Sequence, residues 1–241
     1  KLRFPVPQDF REKLLLRRIT KVQRRAKYLL FELSDEGVVI GHLGMSGRIK
    51  IYRLGENVPL PGKHDHIEFK FITGDLIRFS DPRRFGLMTY TTKQILNEHF
   101  LLKNLGPEPL NPEFSGAVLA ARLKGRKTPI KSALMDQKIV AGLGNIYICE
   151  SLFRSGISPN RKACNVRGRR AENLVKGITD VLTEALEVGG SSLRDHIQPN
   201  GNLGYFQKHF QVYSREGEPC PNCNCEVVAT GGIRRILQSG R

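Results

Sequence analysis

The sequence predicts an α+β protein in two parts, a β-rich first half followed by a helical second half. Runs of aliphatic and aromatic residues typical of strands occur at 28–33 and 38–43, on either side of an SDEG turn. Apolar residues recur at helical spacing within 130–154 and again within 172–188. The proline-rich segment 105–112, LGPEPLNP, lies between the two patterns, so we expect a domain boundary there.

The composition favours a nucleic-acid partner. The 241 residues include 39 Lys and Arg against 23 Asp and Glu, a formal charge of +16, and the isoelectric point is near 9.9. No apolar run of membrane length and no long basic amphipathic helix is visible, which argues against a lipid partner. Three of the five cysteines lie within 220–225, a clustering that suits metal binding in a reducing cytosol better than disulfides.

The centre of the helical half is the segment TPIKSALMDQKIVAGLGNIYICESLFRSG, which begins at Thr128. A first amphipathic helix is expected to end near Asp136, and two glycines then make tight turns. Asn145 is a suitable cap for a second helix over 146–154. A helix N-terminus and turn N–H groups form a ready site for phosphate, although the spacing alone fits an ordinary helical hairpin equally well.

Two short loops in the β-rich half carry unusual residues. HLGMSG presents Met45 between glycines, and DPRRFG presents Arg83 and Phe85 after a tight Asp-Pro turn. A methionine is ordinarily a core residue, and a loop arginine ordinarily makes a surface salt bridge. An arginine followed by an aromatic residue is also the pair needed to occupy a vacancy in a DNA duplex, with donors for a base and a ring to wedge the step.

Two other motifs could bind metal. In KHDH, His64 and His66 alternate along a predicted strand without an apparent third ligand, so we expect no metal there and a structural role for His66. Cys220 forms a CxxC knuckle with Cys223 and also lies near Cys225. Such a knuckle supplies half of a tetrahedral zinc site, because structural zinc takes four ligands.

The segment MDQKIVAGLGNIYICESLF closely resembles the helix–two-turns–helix element of the formamidopyrimidine-DNA glycosylase family, and the resemblance extends through nearly the whole chain. It implies a β-sandwich domain over 1–110, a helical DNA-binding domain over 111–213 and a partial zinc ribbon over 214–241. It also implies a bifunctional glycosylase and AP lyase of base-excision repair, which excises 8-oxoguanine and formamidopyrimidines from duplex DNA with β,δ-elimination. A monomer in the bacterial cytoplasm, associated with the nucleoid and with one structural zinc, is implied as well.

The same resemblance implies a role for individual residues. Met45, Arg83 and Phe85 would occupy the space left by the everted base, with Arg83 bonded to the orphaned cytosine. The segment 191–205 would close over the flipped purine. The remaining implied roles are DNA contact for His64, Lys127, Lys131 and Asn145, assistance to elimination for Lys27 and Arg241, and zinc ligation for Cys220 with Cys223 or Cys225.

The chain departs from the family pattern at two places. The family's nucleophile is an N-terminal proline in a Pro-Glu-Leu-Pro-Glu motif, which does not occur in these residues. The second cysteine pair of the ribbon is also missing, so we expect both segments in the natural protein and an incomplete zinc site here.

Three other functions remain open. A protein of this fold could bind lesions or duplex DNA without catalysis, or could be an endonuclease VIII-type enzyme for oxidised pyrimidines. The set of Met45, Arg83 and Phe85, together with the KHDH run, favours the purine branch. An RNA-binding protein is disfavoured because the chain has no Trp and no stacking aromatic pattern.

Overall fold

The computed structural model describes residues 2, 4–191 and 204–238. The chain divides into two compact units, Lys1–Lys103 with Gly189–Tyr205 and Asn104–Val188 with Phe206–Arg241. Among the described residues no helix is both long and apolar enough to cross a membrane. The α+β organisation predicted from the sequence is confirmed, and the finer division into three domains remains a proposal.

In the part of the chain that the structure describes, the first unit begins with a short helix, α1, and contains two antiparallel sheets. The first sheet has the strand order β1-β2-β3-β7 and the second has the order β4-β6-β5. The bounds are α1 Phe10–Leu14, β1 Ile19–Arg25, β2 Tyr28–Leu33, β3 Gly37–His42, β4 Arg48–Tyr52, β5 Asp65–Lys70, β6 Leu76–Ser80 and β7 Leu87–Thr92.

The two sheets share one hydrophobic core. Leu33, Val39 and Met88 of the first sheet cluster with Phe79 of the second, and each of these side chains is at most 2% exposed. Successive strand residues point to opposite faces, so each sheet contributes alternate residues to this core. Apolar inner faces packed together are the arrangement of a β-sandwich, as the family resemblance implied.

The second unit is helical. Its helices are α2 Gly116–Leu123, α3 Ile130–Met135, α4 Asn145–Arg154, α5 Arg169–Glu187 and the short α6 Val227–Thr230. The long helix α5 buries one stripe of its surface, with Leu174, Ile178 and Val181 fully inaccessible to solvent, as its apolar spacing predicted. The apolar residues Ile130, Ala133 and Leu134 form the buried face of α3.

The side chain of Gln137 braces the connection between α3 and α4. The Gln137 amide nitrogen donates to the Leu143 carbonyl at 3.0 Å, and its oxygen accepts from the Gly142 N–H at 2.8 Å. Gly142 has φ +90°, a conformation that disfavours residues with a Cβ. The predicted capping differs in the structure: Asn145 is the first residue of α4, so the N-cap is Gly144, which has no side chain with which to cap the helix.

The predicted linker is partly joined to the helical unit. The Gly106 N–H donates to the Gln137 carbonyl at 2.8 Å, and the Ala141 N–H donates to the Pro107 carbonyl at 3.0 Å. A Cβ on Gly106 would lie 2.7 Å from the Lys138 carbonyl oxygen, so only glycine permits this approach. The start of the proline-rich segment therefore supports the helix–two-turns–helix element.

Candidate nucleic-acid interface

The first unit displays Met45, Arg83 and Phe85, here called the wedge residues, on two loops. Met45 is 64% exposed and Phe85 is 41% exposed, which is unusual for large apolar side chains. Arg83 is also exposed, and its guanidinium carbon lies 5.1 Å from the centroid of the Phe85 ring. The structure thus places Met45 at the surface, against the chemical expectation of a core methionine.

The two loops touch through their backbones. Gly44 has φ +70°, and a Cβ at this position would lie 2.7 Å from the Gly86 nitrogen. A Cβ on Gly86 would in turn lie 2.6 Å from the Phe79 ring and 2.9 Å from the His42 carbonyl oxygen. These approaches require glycine on both sides, so the two flanking glycines bring Met45 beside Arg83 and Phe85.

Lys27 lies in the tight turn between β1 and β2, where its side chain is exposed. Its positive charge acts on His42, at the end of β3 and the start of the Met45 loop. Burial lowers the pKa of the His42 imidazole below its usual value, and the charge of Lys27 lowers that pKa further. Lys27 is therefore electrostatically coupled to the start of the Met45 loop.

Protonation of His42 is expected to loosen this loop. His42 accepts the Gly44 N–H at Nδ1, at 2.8 Å, and its ring packs at a tilt of 57° against Tyr28, with a centroid distance of 5.0 Å. A protonated ring cannot accept that bond. Because the folded pKa is lowered, the unfolded chain binds the proton more readily, and stability should fall as pH drops below about 6.5 through the folded pKa.

The measurement is the free energy of unfolding in urea between pH 7.5 and pH 5. His42→Asn should reduce the decrease in the free energy of unfolding that the wild type shows as the pH falls. Burial also lowers the pKa of His99, so His99→Asn is expected to remove a separate part, and it serves as the matched control. The Gly44 amide should lose protection from hydrogen exchange, measured against the intrinsic exchange rate at each pH, as the pH falls in the wild type and in the His99 variant. Equal slopes in the wild type and the His42 variant would contradict this prediction.

His64 and His66 lie beside the loop that carries Arg83. The carbonyl of His64 accepts the Asp81 N–H at 2.9 Å, and the His66 ring bonds the Asp81 carbonyl at 2.9 Å through Nε2. His66 thus has a structural partner, as the sequence suggested. The buried Nδ1 of His64 has no hydrogen-bond partner in the part of the chain that the structure describes.

The second unit brings three predicted phosphate contacts to the start of the helix–two-turns–helix element. Lys127 is exposed, next to the short antiparallel bridge between Pro129 and Lys162. Lys131 is only 7% exposed and interacts electrostatically with the Cys149 thiol. The sulfur of this thiol lies 3.9 Å from the side-chain oxygen of Asn145. Burial raises the pKa of that thiol, and Lys131 offsets part of this shift.

Known proteins identify the family of this chain. The family model for the formamidopyrimidine-DNA glycosylase N-terminal domain matches residues 1–88, and the model for its H2TH domain matches residues 105–196. A formamidopyrimidine-DNA glycosylase of Rhodospirillum rubrum is 53% identical over 240 residues, covering 100% of this chain and 85% of the relative. The chain belongs to the formamidopyrimidine-DNA glycosylase family. The corresponding enzyme of Rhodospirillum centenum is 54% identical over 250 residues, with 100% and 86% covered.

Solved structures of formamidopyrimidine-DNA glycosylases have the same fold. The Lactococcus lactis enzyme, in complex with DNA containing an abasic site, superposes with a TM-score of 0.83 at 32% identity, covering 95% of this chain and 81% of that one. The Thermus thermophilus enzyme gives 0.80 at 39% identity, covering 93% and 80%. The first of these relatives is bound to DNA, which bears on the partner proposed below.

The zinc ribbon of the family is not established by the described residues. Cys223 donates its N–H to the Cys220 carbonyl at 3.5 Å, so the knuckle forms a turn, and Cys223 and Cys225 are exposed. Residues 2, 4–191 and 204–238 contain no group of three or more potential metal ligands. These residues fit only half of a four-ligand site. Arg241 and most of the segment 191–205 lie outside the described residues.

Sequence reasoning missed four supporting residues, two in each unit. Gln137 braces the double turn, and Ser46 and Asp81 join the two wedge loops through a 2.6 Å hydrogen bond. Glu150 is fully buried on α4 and accepts three backbone N–H groups from residues 211–213. A carboxylate one turn after Ile146, inside the apolar pattern of a helix, was the signal that could have revealed it.

Proposed function

We propose that this protein is a DNA glycosylase of base-excision repair that removes oxidised purines from duplex DNA and then cleaves the backbone by β,δ-elimination. The observation that carries the proposal is the convergence of Met45, Arg83 and Phe85 on one exposed surface from two separate loops. An apolar wedge, a hydrogen-bond donor and a ring together match the space left when a base rotates out of the duplex.

The role of each wedge residue follows from its chemistry. Met45 is flexible and apolar, so it can enter the stack where the damaged base was. The Arg83 guanidinium presents donors to the orphaned partner base, and cytosine offers acceptors at its Watson–Crick edge. Phe85 lies beside Arg83 and can separate the neighbouring base pair. A DNA contact is proposed for His64 as well; its Nδ1 is buried without a partner among the described residues, so the ring would have to turn outward to make that contact.

Binding to the duplex backbone is assigned to the second unit. Lys127 is exposed and can meet a phosphate, and Asn145 lies in the first turn of α4, where the helix N-terminus favours anions. Lys131 adds a buried positive charge beside Cys149, close to this turn. The formal charge of +16 supports a double-stranded DNA partner through general electrostatic attraction.

The chemistry proposed for the natural protein begins with an amine. In the family this is the N-terminal proline, whose α-amino group has a pKa near 8 and therefore supplies more free amine at neutral pH than a lysine does. Its nitrogen bonds to the sugar C1′ as the base leaves and takes up a proton, and the C1′–O4′ bond then breaks with protonation of O4′, so that C1′ and the nitrogen form a Schiff base (an iminium, since proline is a secondary amine). Removal of a C2′ proton then expels the 3′ phosphate, and a second elimination expels the 5′ phosphate. Lys27 and Arg241 are proposed to assist these eliminations.

A structural zinc belongs to the same proposal. Cys220 with Cys223 would supply two thiolates, with Cys225 as the alternative second ligand, and a zinc ion there would fix the fold of the ribbon. In this scheme the ribbon's role is to hold Arg241 in position.

The experiment is borohydride trapping with the protein from its natural N-terminus and a duplex carrying 8-oxoguanine opposite cytosine. We expect a covalent protein–DNA adduct, since borohydride reduces a Schiff base to a stable amine. Lys27→Ala should slow strand cleavage by about 100-fold, the scale of a general acid–base group. Lys70→Ala, an exposed lysine at the end of β5, is the matched control and should cleave at the wild-type rate.

The alternatives give different results in the same assay. Tight binding without an adduct would identify a lesion-binding protein without catalysis. Faster trapping on a duplex carrying thymine glycol would identify the oxidised-pyrimidine branch. Unchanged cleavage by the Lys27 variant would remove that residue from the mechanism.

A further inference from the structure

A buried Ser–Asp pair lies beneath the three wedge residues. Ser46 is 3% exposed and Asp81 is 0% exposed, although both side chains are polar. The Ser46 hydroxyl donates to Asp81 Oδ1 at 2.6 Å and accepts the Arg83 N–H at 3.1 Å. Asp81 Oδ2 accepts the Gly86 N–H at 2.7 Å. One carboxylate and one hydroxyl therefore join both loops.

Each hydrogen bond of this pair fixes a different side of the wedge. Ser46 directly follows Met45 in the chain, so fixing Ser46 fixes the backbone that carries the wedge methionine. The bonds to the N–H groups of Arg83 and Gly86 fix both ends of the segment that carries Phe85. The polar groups of the pair are removed from water, so a broken bond would leave a buried group unpaired.

We propose that Ser46 and Asp81 are positioning residues that make the two loops one rigid unit and thereby set the selectivity of the protein for the base opposite the lesion. This inference rests on the proposed function, because it assigns the placement of Arg83 against the orphaned base. The Ser46 hydroxyl acts through the Arg83 backbone and touches no substrate.

Selectivity is more sensitive to this pair than overall affinity is. Most of the affinity of a protein for DNA comes from phosphate contacts, which carry no sequence information. Discrimination between cytosine and adenine opposite the lesion is the difference between the affinities for the two duplexes. It depends on the direction in which the Arg83 donors point. A small shift of the Arg83 backbone therefore changes the ratio of the affinities while the average affinity changes little.

The test compares Ser46→Ala with Ser80→Ala, using the protein from its natural N-terminus. Ser80 is a matched control, because its hydroxyl also donates to a carboxylate, that of Asp65, and it precedes Asp81 by one residue. The duplexes contain a tetrahydrofuran abasic analogue opposite cytosine or opposite adenine. The measured quantity is the ratio of the two dissociation constants, which a general loss of folded protein does not change.

We expect the wild type and Ser80→Ala to prefer cytosine to the same degree. Ser46→Ala should reduce that preference by roughly three- to tenfold, the effect of one hydrogen bond on an equilibrium. If Ser46→Ala does not fold, Ser46→Cys carries the test, since a thiol is a weak donor and should reduce the preference less. An unchanged ratio in the folded variant, or a wild type that shows no preference, would overturn the inference.

Excision of 8-oxoguanine by the same preparations separates this inference from the proposed function. A wild type that prefers cytosine but excises no oxidised purine would contradict the proposed function and leave the positioning role intact. A wild type that excises 8-oxoguanine while Ser46→Ala keeps the full preference would contradict the inference alone.

Discussion

Arg83→Ala is expected to lower the affinity for a lesion opposite cytosine by roughly 10- to 100-fold, because one well-formed arginine–base contact contributes about 1–3 kcal/mol of discrimination. Arg83 is exposed and its guanidinium lies against the Phe85 ring, so truncation removes little from the fold. Cytosine should lose its advantage over adenine as the opposite base. The measurement is binding and single-turnover excision on 8-oxoguanine duplexes that differ only in the opposite base.

Arg84 provides an unusually close control for this prediction. It is the next residue, is equally charged and is also exposed, but its backbone has φ +61° and its N–H donates to the Asp81 carbonyl at 3.3 Å. Arg84→Ala removes the same charge and should change the affinity less than about threefold. This is the effect expected for one exposed positive charge near a DNA phosphate when salt screens the interaction. Equal losses in the two variants would show that Arg83 acts through its charge alone, and the assignment to the orphaned base would be wrong.

The elements of the fold could be predicted because their signals are local. β2 and β3 follow runs of β-branched and aromatic residues, and α5 follows an apolar stripe with helical spacing. The predicted capping of α4 was wrong by one residue. The helix begins at Asn145 and its N-cap is Gly144, while the preceding turn is braced by the Gln137 side chain, 5 residues before Gly142, a contact that no local capping pattern reports.

The wedge residues could be named from the sequence, but their support could not. The hydrogen bond between Ser46 and Asp81 joins residues that are 35 positions apart, and no local periodicity reports such a contact. The sequence identifies Asp81 only as a turn residue before proline, and it does occupy such a turn. In the folded protein the carboxylate of this turn residue accepts hydrogen bonds from both loops.

Burial separates Lys127 from Lys131, although both were named for the same role. Lys127 stands in solvent, whereas Lys131 is 7% exposed and interacts with the Cys149 thiol. Both lysines belong to one basic run, GRKTPIK, so the sequence alone could not distinguish them. Lys131 lies in the first turn of α3, whose inner face is core, and this position draws its stem inward.

Glu150→Ala is expected to destabilise the protein by about 4 kcal/mol, the largest loss we predict for a single side chain, because it leaves several buried donors without an acceptor. The carboxylate is fully buried and accepts the N–H groups of Gln211 at 2.8 Å, Val212 at 3.0 Å and Tyr213 at 2.8 Å. Urea unfolding should show a lower midpoint with an unchanged slope, since the same surface is exposed on unfolding.

Glu150→Gln should fall between the wild type and the alanine variant, because an amide keeps one acceptor oxygen but turns an NH₂ group toward a backbone donor. Glu187→Gln, an exposed glutamate at the end of α5, makes the same chemical change and should stay within about 0.5 kcal/mol. The amides of residues 211–213 should lose protection from hydrogen exchange before the rest of the helical unit does. Residues 211–213 lead into 214–238, which include Cys220 and Cys223. A loss of protection confined to residues 211–213 would therefore show that α4 anchors this segment. A uniform loss across the helical unit would contradict an anchoring role for α4.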